Sequence, residues 1–446
     1  MKKILLAILL VFCLMANAQT PNFWHEKATG FTDADKTLNS ISIVDANTIW
    51  ANEFDFTNQD YTLKTFTRST DAGETWTTGS INLEPIPADG SSIGLGISSI
   101  SAASASTAWI SVYPDSAGTG GIWNTIDNGV SWQKQTTTQF SDPASYTDFV
   151  HFWDANNGVA LGDAVGDYFE IYTTNDGGAT WNTASSPIAT GDYSFFNGYA
   201  VSGDSVWVGT GLGGILKSTD KGLNWTFLTA LPAGTDFIAD RFTFSDTNKG
   251  LLLLVNTQQI YKTVDGGTTW TEVVSITNPN SYKTNLNYIP GTSTIIATSE
   301  ASPNGSSYST DDGVTWTTID SSFHGESAFL NDTFGFSAGA TAGTTGATTG
   351  GIYKFSGIPL KTASFDTNNQ IAVYPNPTNG LLQINSKAYL VKEATVYDLL
   401  GKKVYSSKIS ASNNVSLDLK SLQTGIYTLK VTSDTGKSEN IKIIKN

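Results

Sequence analysis

One eight-residue turn, written six times, constrains this chain more than any other feature in it. The first copy is Ser69-Thr70-Asp71-Ala72-Gly73-Glu74-Thr75-Trp76. The others run from Asp127 through Gly129 to Trp132, from Asp176 through Gly178 to Trp181, and from Asp220 through Gly222 to Trp225. The last two run from Asp265 through Gly267 to Trp270 and from Asp311 through Gly313 to Trp316. The shared pattern is Ser/Thr-x-Asp-x-Gly-x-Thr/Ser/Asn-Trp. Its Asp can accept backbone N–H groups of its own turn, and its Gly takes positive φ without steric cost. Its Trp is expected to open the following strand and bury a large surface there. Successive Asp residues stand 56, 49, 44, 45 and 46 residues apart. A period of about 40–50 residues holding several short strands is that of a propeller blade.

The text between the turns fits that reading. Ile41–Val44, Asp45–Asn47 and Ile49–Ala51 give an apolar run, a polar turn and a second run; Phe149–Trp153, Asp154–Asn157 and Gly158–Leu161 repeat the series. Each unit reads as strand, tight turn, strand, longer loop, strand, Asp turn, strand. A seventh unit, Phe329–Phe336 with Gly351–Phe355, lacks the Asp turn and its final strand. The segment Asn22–Lys27 carries Trp24 with no turn before it, and is expected to supply that missing outer strand. Such closure joins the chain ends and removes an open sheet edge. The expected fold is all-β, a seven-bladed β-propeller over residues 19–357.

These repeats resemble the Asp-box (BNR-like) repeat of sialidases, sortilin-type receptors, xyloglucan-cleaving endoglucanases and photosystem II assembly-factor propellers. The resemblance covers roughly residues 22–357 and implies an architecture, because those proteins share the turn and not a reaction.

Both ends of the chain read differently. Met1–Ala18 has two lysines, an apolar run Ile4–Met15 and a small-residue site, and is read as a signal peptide cleaved after Ala18. That run is too short to span a bilayer, so the mature chain is expected to have no transmembrane segment. The one cysteine, Cys13, leaves with the leader, and with it any disulfide. Residues 358–370 read as a linker. Residues 371–446 alternate apolar runs with Asn/Gly turns, the pattern of a small β-sandwich. Their motifs Ile371-Ala372-Val373-Tyr374-Pro375-Asn376-Pro377, Ala394–Val404 and Leu422–Val431 closely resemble the type A C-terminal sorting domain of the Bacteroidota type IX secretion system. That resemblance implies the type IX machinery as a partner, and a secreted or outer-membrane-surface location.

Charge is unevenly placed. Residues 19–370 hold 13 Lys+Arg against 35 Asp+Glu, a net of −22, whereas residues 371–446 carry a net of +5. A propeller this acidic should repel nucleic acid and anionic membrane surfaces. It also lacks the basic surface expected of a photosystem assembly factor. A sialidase needs three arginines to hold its substrate carboxylate, and this chain has only Arg68 and Arg241. His25, His151 and His324 lie far apart and at no metal-binding spacing, so no metal and no cofactor is expected. His151, on an inner strand, is expected as a hydrogen-bonded core residue. The six turn carboxylates are expected to be structural, each used up by its own backbone.

The longer loops of each blade share one face, and recognition residues on a rigid scaffold usually sit on such loops. Aromatic candidates for ligand contact there are Tyr61, Tyr113, Phe140, Tyr146, Tyr193 and Tyr282. The carboxylates on the same face are Glu53, Asp55, Asp163, Asp167, Glu300 and Glu326. Glycoside hydrolysis needs two of them about 5–10 Å apart across the scissile bond, and nothing in the sequence pairs them. The leading expectation is an exported, non-catalytic propeller that recognises an extracellular glycan or protein. The alternative is a single-propeller glycoside hydrolase using two of these acids.

Overall fold

A computed structural model of the chain describes residues 23–55, 63–83, 94–114, 120–141, 145–235, 241–274, 276, 284–300, 302–341, 350–358, 371–387, 389–434 and 438–446. The expected leader, nearly all of the expected linker, Tyr61 and Tyr282 lie outside the described residues. Two compact units divide the chain after residue 359.

Among the described residues, the first unit is built from seven four-stranded antiparallel sheets. The chain enters with β1 (Trp24–Ala28) and then writes six whole blades. Blade 1 holds β2 (Lys36–Ile43), β3 (Ile49–Asp55), β4 (Thr65–Ser69) and β5 (Thr77–Ser80). Blade 2 holds β6 (Leu95–Ala102), β7 (Ala108–Pro114), β8 (Gly121–Thr125) and β9 (Gln133–Lys134). Blade 3 follows with β10 (Thr147–Phe152), β11 (Gly158–Val165), β12 (Tyr168–Thr174) and β13 (Asn182–Thr183). Blade 4 has β14 (Ser194–Ser202), β15 (Ser205–Thr210), β16 (Ile215–Ser218) and β17 (Thr226–Leu228). Blade 5 runs β18 (Arg241–Phe244), β19 (Gly250–Leu254), β20 (Gln259–Thr263) and β21 (Thr271–Glu272). Blade 6 runs β22 (Asn285–Tyr288), β23 (Ile295–Ser299), β24 (Gly305–Ser309) and β25 (Thr317–Asp320). Blade 7 takes β26 (Ser327–Asn331), β27 (Phe334–Thr341) and β28 (Gly350–Phe355) from the end of the unit and its outer strand, β1, from the beginning. Trp24 pairs with Phe355 and Ala28 with Gly351. First strands of successive blades contact one another around the ring, and β26 returns to β2. Together they enclose a central channel.

Local chemistry explains the blades. In all six copies the Asp Oδ1 accepts the hydroxyl two residues before it at 2.8–2.9 Å and the backbone N–H four residues after it at 2.8–2.9 Å. Oδ2 accepts that later residue's side chain at 2.6–2.7 Å. Hydrogen bonding from the Thr75 and Ser131 side chains, then from their amides, holds Asp71 and Asp127 at a pKa of about 2.

The turn tryptophans correct the expectation that they open the outer strands. Trp76, Trp132, Trp181, Trp225, Trp270 and Trp316 each stand one residue before the outer strand and outside its ladder. The reason is local: the Asp carboxylate takes the amide of the residue just before each Trp, so strand pairing starts only after it. Their indoles also differ in what they hold. Trp76, Trp225 and Trp316 donate back to the carbonyl of their own turn glycine, Gly73, Gly222 and Gly313, at 2.8–3.1 Å. Trp181 donates instead to Gln135 Oε1 of the preceding blade at 2.6 Å. The indole N–H groups of Trp132 and Trp270 have no hydrogen-bond partner among the described residues. Those two rings are held by packing alone, Trp132 edge-on to Phe66 at 6.1 Å and Trp270 edge-on to Phe244 at 6.2 Å.

A second tryptophan series, on the second strands, ties neighbouring blades. The indole N–H groups of Trp50, Trp109 and Trp207 donate to the carbonyls of Ser104, Gly177 and Gly266 at 3.0–3.1 Å. Inner strands are rich in Ser and Thr for a related reason. Ser40, Ser99 and Thr243 hydroxyls accept the Ile100, Val150 and Tyr288 amides of the next blade, which a sheet edge would otherwise leave unpaired. The apolar core lies between blades: one cluster joins Trp50 and Phe66 to Ile110 and Trp123, and another joins Phe149 and Leu161 to Val206 and Leu216. Glu74 of the first Asp turn clasps Lys27 and Lys354 at 2.5 and 2.6 Å, fixing the closing blade to blade 1.

The second unit is a sandwich. One sheet has β29 (Ile371–Tyr374), β30 (Leu381–Ser386) and β33 (Asn414–Asp418). The other is ordered β32 (Lys403–Ser412), β31 (Val391–Tyr397), β34 (Gly425–Ser433), β35 (Ser438–Lys445). Leu382, Ile384, Val396, Leu417, Leu429 and Val431 are buried between them.

Several expected boundaries shift. Three acids expected on the longer loops, Glu53, Asp55 and Asp163, lie inside strands instead. Glu53 and Asp55 belong to β3, and Asp163 belongs to β11. Polar residues can extend these strands because each finds a partner there, Asp55 in Lys36 and Asp163 in the Ser194 and Tyr146 amides.

Candidate functional site

The candidate carboxylates fall into three separate places. On blade 1, Asp55 pairs with Lys36 at 2.6 Å in a buried ion pair. Glu53, two residues along the same strand, has a raised pKa: burial drives it up, opposed by a hydrogen bond from Thr65 and by the Lys36 charge. On blade 3, Asp163 accepts the Ser194 amide at 2.9 Å and the Tyr146 amide at 3.3 Å. It shares a hydrogen bond with the buried Asp148, which also accepts the Ser194 hydroxyl. Burial and the neighbouring Asp163 charge push Asp148 well above the ordinary carboxylate range. Asp167 sits at a hairpin tip and accepts the Thr190 hydroxyl at 2.6 Å.

Two of the candidates, Glu300 and Glu326, line one cavity. It occupies about 300 Å³ at the channel mouth, on the face of the longer loops. Glu300 follows β23 of blade 6, and Glu326 precedes β26 of blade 7. Arg241, the first residue of β18, stands beside them, and its Nε donates to Asn285 Oδ1 at 3.2 Å. Burial raises Glu326 to about pH 7; the Arg241 charge lowers it in part and the Glu300 charge raises it further. Glu300 opens onto the cavity, yet close protein surroundings raise its pKa too, against the pull of Arg241.

No other acid lines the cavity among the described residues. Leu38, Asn39 and Phe54 of blade 1, which adjoins blade 7, and Phe195, Phe196, Asn197 and Tyr199 of blade 4 line it as well. The blade 4 part comes from a bulge. Ser194 pairs with Thr210 and Tyr199 with Val208, so four residues on β14 stand opposite one on β15. Asn197 takes a φ of 56° within it, and the bulge pushes Phe195 and Phe196 into the mouth. Asn197-Gly198 inside an apolar strand was the sequence signal for it. Arg241 had none beyond its rarity.

Of the aromatic candidates, Tyr113 and Tyr146 come together as an edge-to-face pair at 6.0 Å. Tyr113 also stacks on Phe196 at 4.1 Å, behind the cavity wall. Tyr113 is buried rather than exposed on a loop, because its ring lies over Gly96, where an added Cβ would collide with it. Phe140 packs edge-on against Tyr172 at 5.0 Å. Tyr193 is exposed and meets Phe195 at 5.4 Å.

His151 departs from expectation. It is half-buried on the channel wall, edge-on to Trp153 at 4.8 Å, with no hydrogen bond among the described residues. Burial lowers its pKa to about 4. His324, by contrast, is buried between Asp320 and Ser337, at 3.1 and 3.2 Å. No group of three or more His, Cys, Asp or Glu among the described residues is placed to hold a metal ion. No helix among the described residues is long and apolar enough to cross a membrane.

Comparison with known proteins agrees with the two-unit architecture. Residues 372–446 match the family described as the secretion system C-terminal sorting domain. The C-terminal unit is therefore a type IX sorting domain, which directs the chain to secretion. A stretch of 124 residues is 32% identical to the photosystem II assembly lipoprotein Ycf48 of Synechococcus sp. (strain CC9902), covering 27% of this chain. The match spans 34% of that protein's length. Two solved structures share the propeller fold. YCF48 bound to D1 peptide aligns with TM-score 0.52 and 14% identity over 77% of this chain and 97% of that one. YCF48 from Cyanidioschyzon merolae aligns with TM-score 0.50 and 16% identity over 75% and 98%.

Proposed function

We propose that the chain is an exported recognition protein whose propeller binds an extracellular polypeptide at the channel mouth, without catalysis. The observation that carries this reading is the cavity in which Glu300, Glu326 and Arg241 face the aromatic bulge of β14. A concave site with a few convergent polar groups and perturbed carboxyls on a rigid ring is the usual form of a binding site. Both carboxylates come from blades 6 and 7, and blades 1 and 4 add rings and amides to the same lining. That YCF48 has been solved with a D1 peptide supports a polypeptide partner for a propeller of this shape. In this proposal the leader is cleaved after Ala18, the sorting domain hands the chain to the type IX machinery, and the propeller works outside the cell.

One observation favours a second reading. A carboxyl with a pKa of about 7 beside a second acid is also what a glycosidase general acid requires. The two are separated by incubating the purified chain with insoluble plant, algal and microbial polysaccharides and, separately, with an immobilised peptide library. Retention on peptides without new reducing ends is expected. Reducing ends that vanish in Glu326→Gln would replace recognition by hydrolysis.

A further inference from the structure

Among the described residues, the lining of the channel-mouth cavity holds more acid than base. Two carboxylates meet one guanidinium, so full ionisation leaves one negative charge in excess inside a space of about 300 Å³. The Glu326 carboxyl is closely surrounded by protein, and no side chain among the described residues hydrogen-bonds it; the neighbouring Ser327 amide is its hydrogen-bond partner. A buried hydroxyl nearby, that of Thr37, lacks a partner among the described residues. It lies 3.7 Å from the point that a Cβ on Gly325 would occupy, and Glu300 Oε2 lies 3.1 Å from the same point. Buried polar groups short of hydrogen bonds are costly, and a ligand that supplies several donors at once lowers that cost. Opposite the acids stand the rings of Phe195, Phe196 and Tyr199, whose faces attract a cation and repel an anion.

We infer that this cavity receives the cationic side chain of a lysine or arginine in the partner polypeptide, with Glu300 and Glu326 as its counter-ions and the β14 bulge as its aromatic wall. The inference rests on the polypeptide-recognition reading above and gives it a chemical specificity. A lysine ammonium offers three donors and an arginine guanidinium five, and either charge balances the excess negative one. The propeller's net charge of −22 would steer such a partner toward the ring from a distance. Binding needs Glu326 ionised, so it takes a proton off that carboxyl. The groups facing Glu326 are Arg241 and Glu300 at the mouth, with Tyr199 and His151 on the channel wall. His151, with its pKa of about 4, stays neutral above about pH 5.

The test uses the purified full chain on an immobilised array of random dodecapeptides, at low and high salt and at about pH 5 and pH 8. Bound peptides should be enriched in Lys or Arg at one position. Resynthesis of a bound sequence with norleucine for Lys, or citrulline for Arg, should weaken it at least about tenfold and show which cation is preferred. Affinity should fall by about tenfold or more from pH 8 to pH 5. The double variant Glu300→Gln/Glu326→Gln, checked for folding by tryptophan fluorescence, should lose the basic preference. Peptides bound without a basic preference, or with one that survives in the double variant, would refute the cation site and leave polypeptide recognition standing. An array that captures nothing would refute both.

Discussion

Glu326 sets up a measurable conflict between stability and binding. Its carboxyl titrates near pH 7 in the folded protein against an ordinary value of 4.5, chiefly because burial penalises the charged form. At about 1.4 kcal/mol per pH unit, holding it ionised in the fold costs about 3 kcal/mol. The direction follows from proton binding. The folded state holds this proton more tightly than the unfolded chain does, so the stabilisation is complete below about pH 4.5. It is lost as pH rises through about 7. Glu326→Gln keeps the shape and cannot ionise. Stability relative to the parent should therefore rise by about 3 kcal/mol between about pH 4.5 and pH 8. Urea unfolding followed by tryptophan fluorescence reads this cleanly, because all 12 tryptophans lie between Trp24 and Trp316, in the propeller. Parallel pH curves for parent and variant would refute the reasoning, since the carboxyl would then be well solvated. A variant less stable than the parent at pH 8 would show that attraction to Arg241 outweighs desolvation.

Further outcomes are expected. Trp316→Ala removes a fully buried indole that donates to Gly313 O at 2.8 Å, and should cost about 3–5 kcal/mol in urea unfolding while leaving peptide specificity alone in whatever fraction folds. Gly96→Ala forces the Tyr113 ring away from its seat and should cost about 1–3 kcal/mol, with weaker peptide retention because Phe196 loses its stacking partner. Because Asp71 and Asp127 titrate near 2, their contribution is present above about pH 4 and lost on acidification, so the unfolding midpoint should drop again below about pH 4. Removal of residues 371–446 should leave the propeller inside the cell envelope, as read by fractionation.

The six Asp turns were legible because each closes its own hydrogen bonds within eight residues, so sequence and geometry coincide. What each turn tryptophan grips was not. Trp225 and Trp316 reach back to their own turn, Trp181 crosses to Gln135, and Trp132 and Trp270 rely on ring packing, although all five end the same motif. The neighbouring blade supplies that difference. The closing role of the Trp24 segment was legible, because a blade short of one strand and a strand short of a blade imply each other. The tryptophans at 50, 109 and 207 were not read as ties between blades, since their carbonyl partners lie 54, 68 and 59 residues away. The turns likewise gave no sign that Asp163 would meet Asp148 across β10 and β11.

The sequence by itself determined an all-β ring of repeated units and a terminal sorting domain, because turn chemistry, strand alternation and apolar burial are local and repeat with the chain. Only the tertiary structure decided which acids matter to one another. Arg241, Glu300 and Glu326 come from the starts and ends of strands in blades 5, 6 and 7, and the facing rings come from a bulge in blade 4. No spacing along the chain encodes that meeting. It exists because closing the ring brings strands from four blades around one channel, where burial raises carboxyl pKa values that solvent would otherwise leave ordinary.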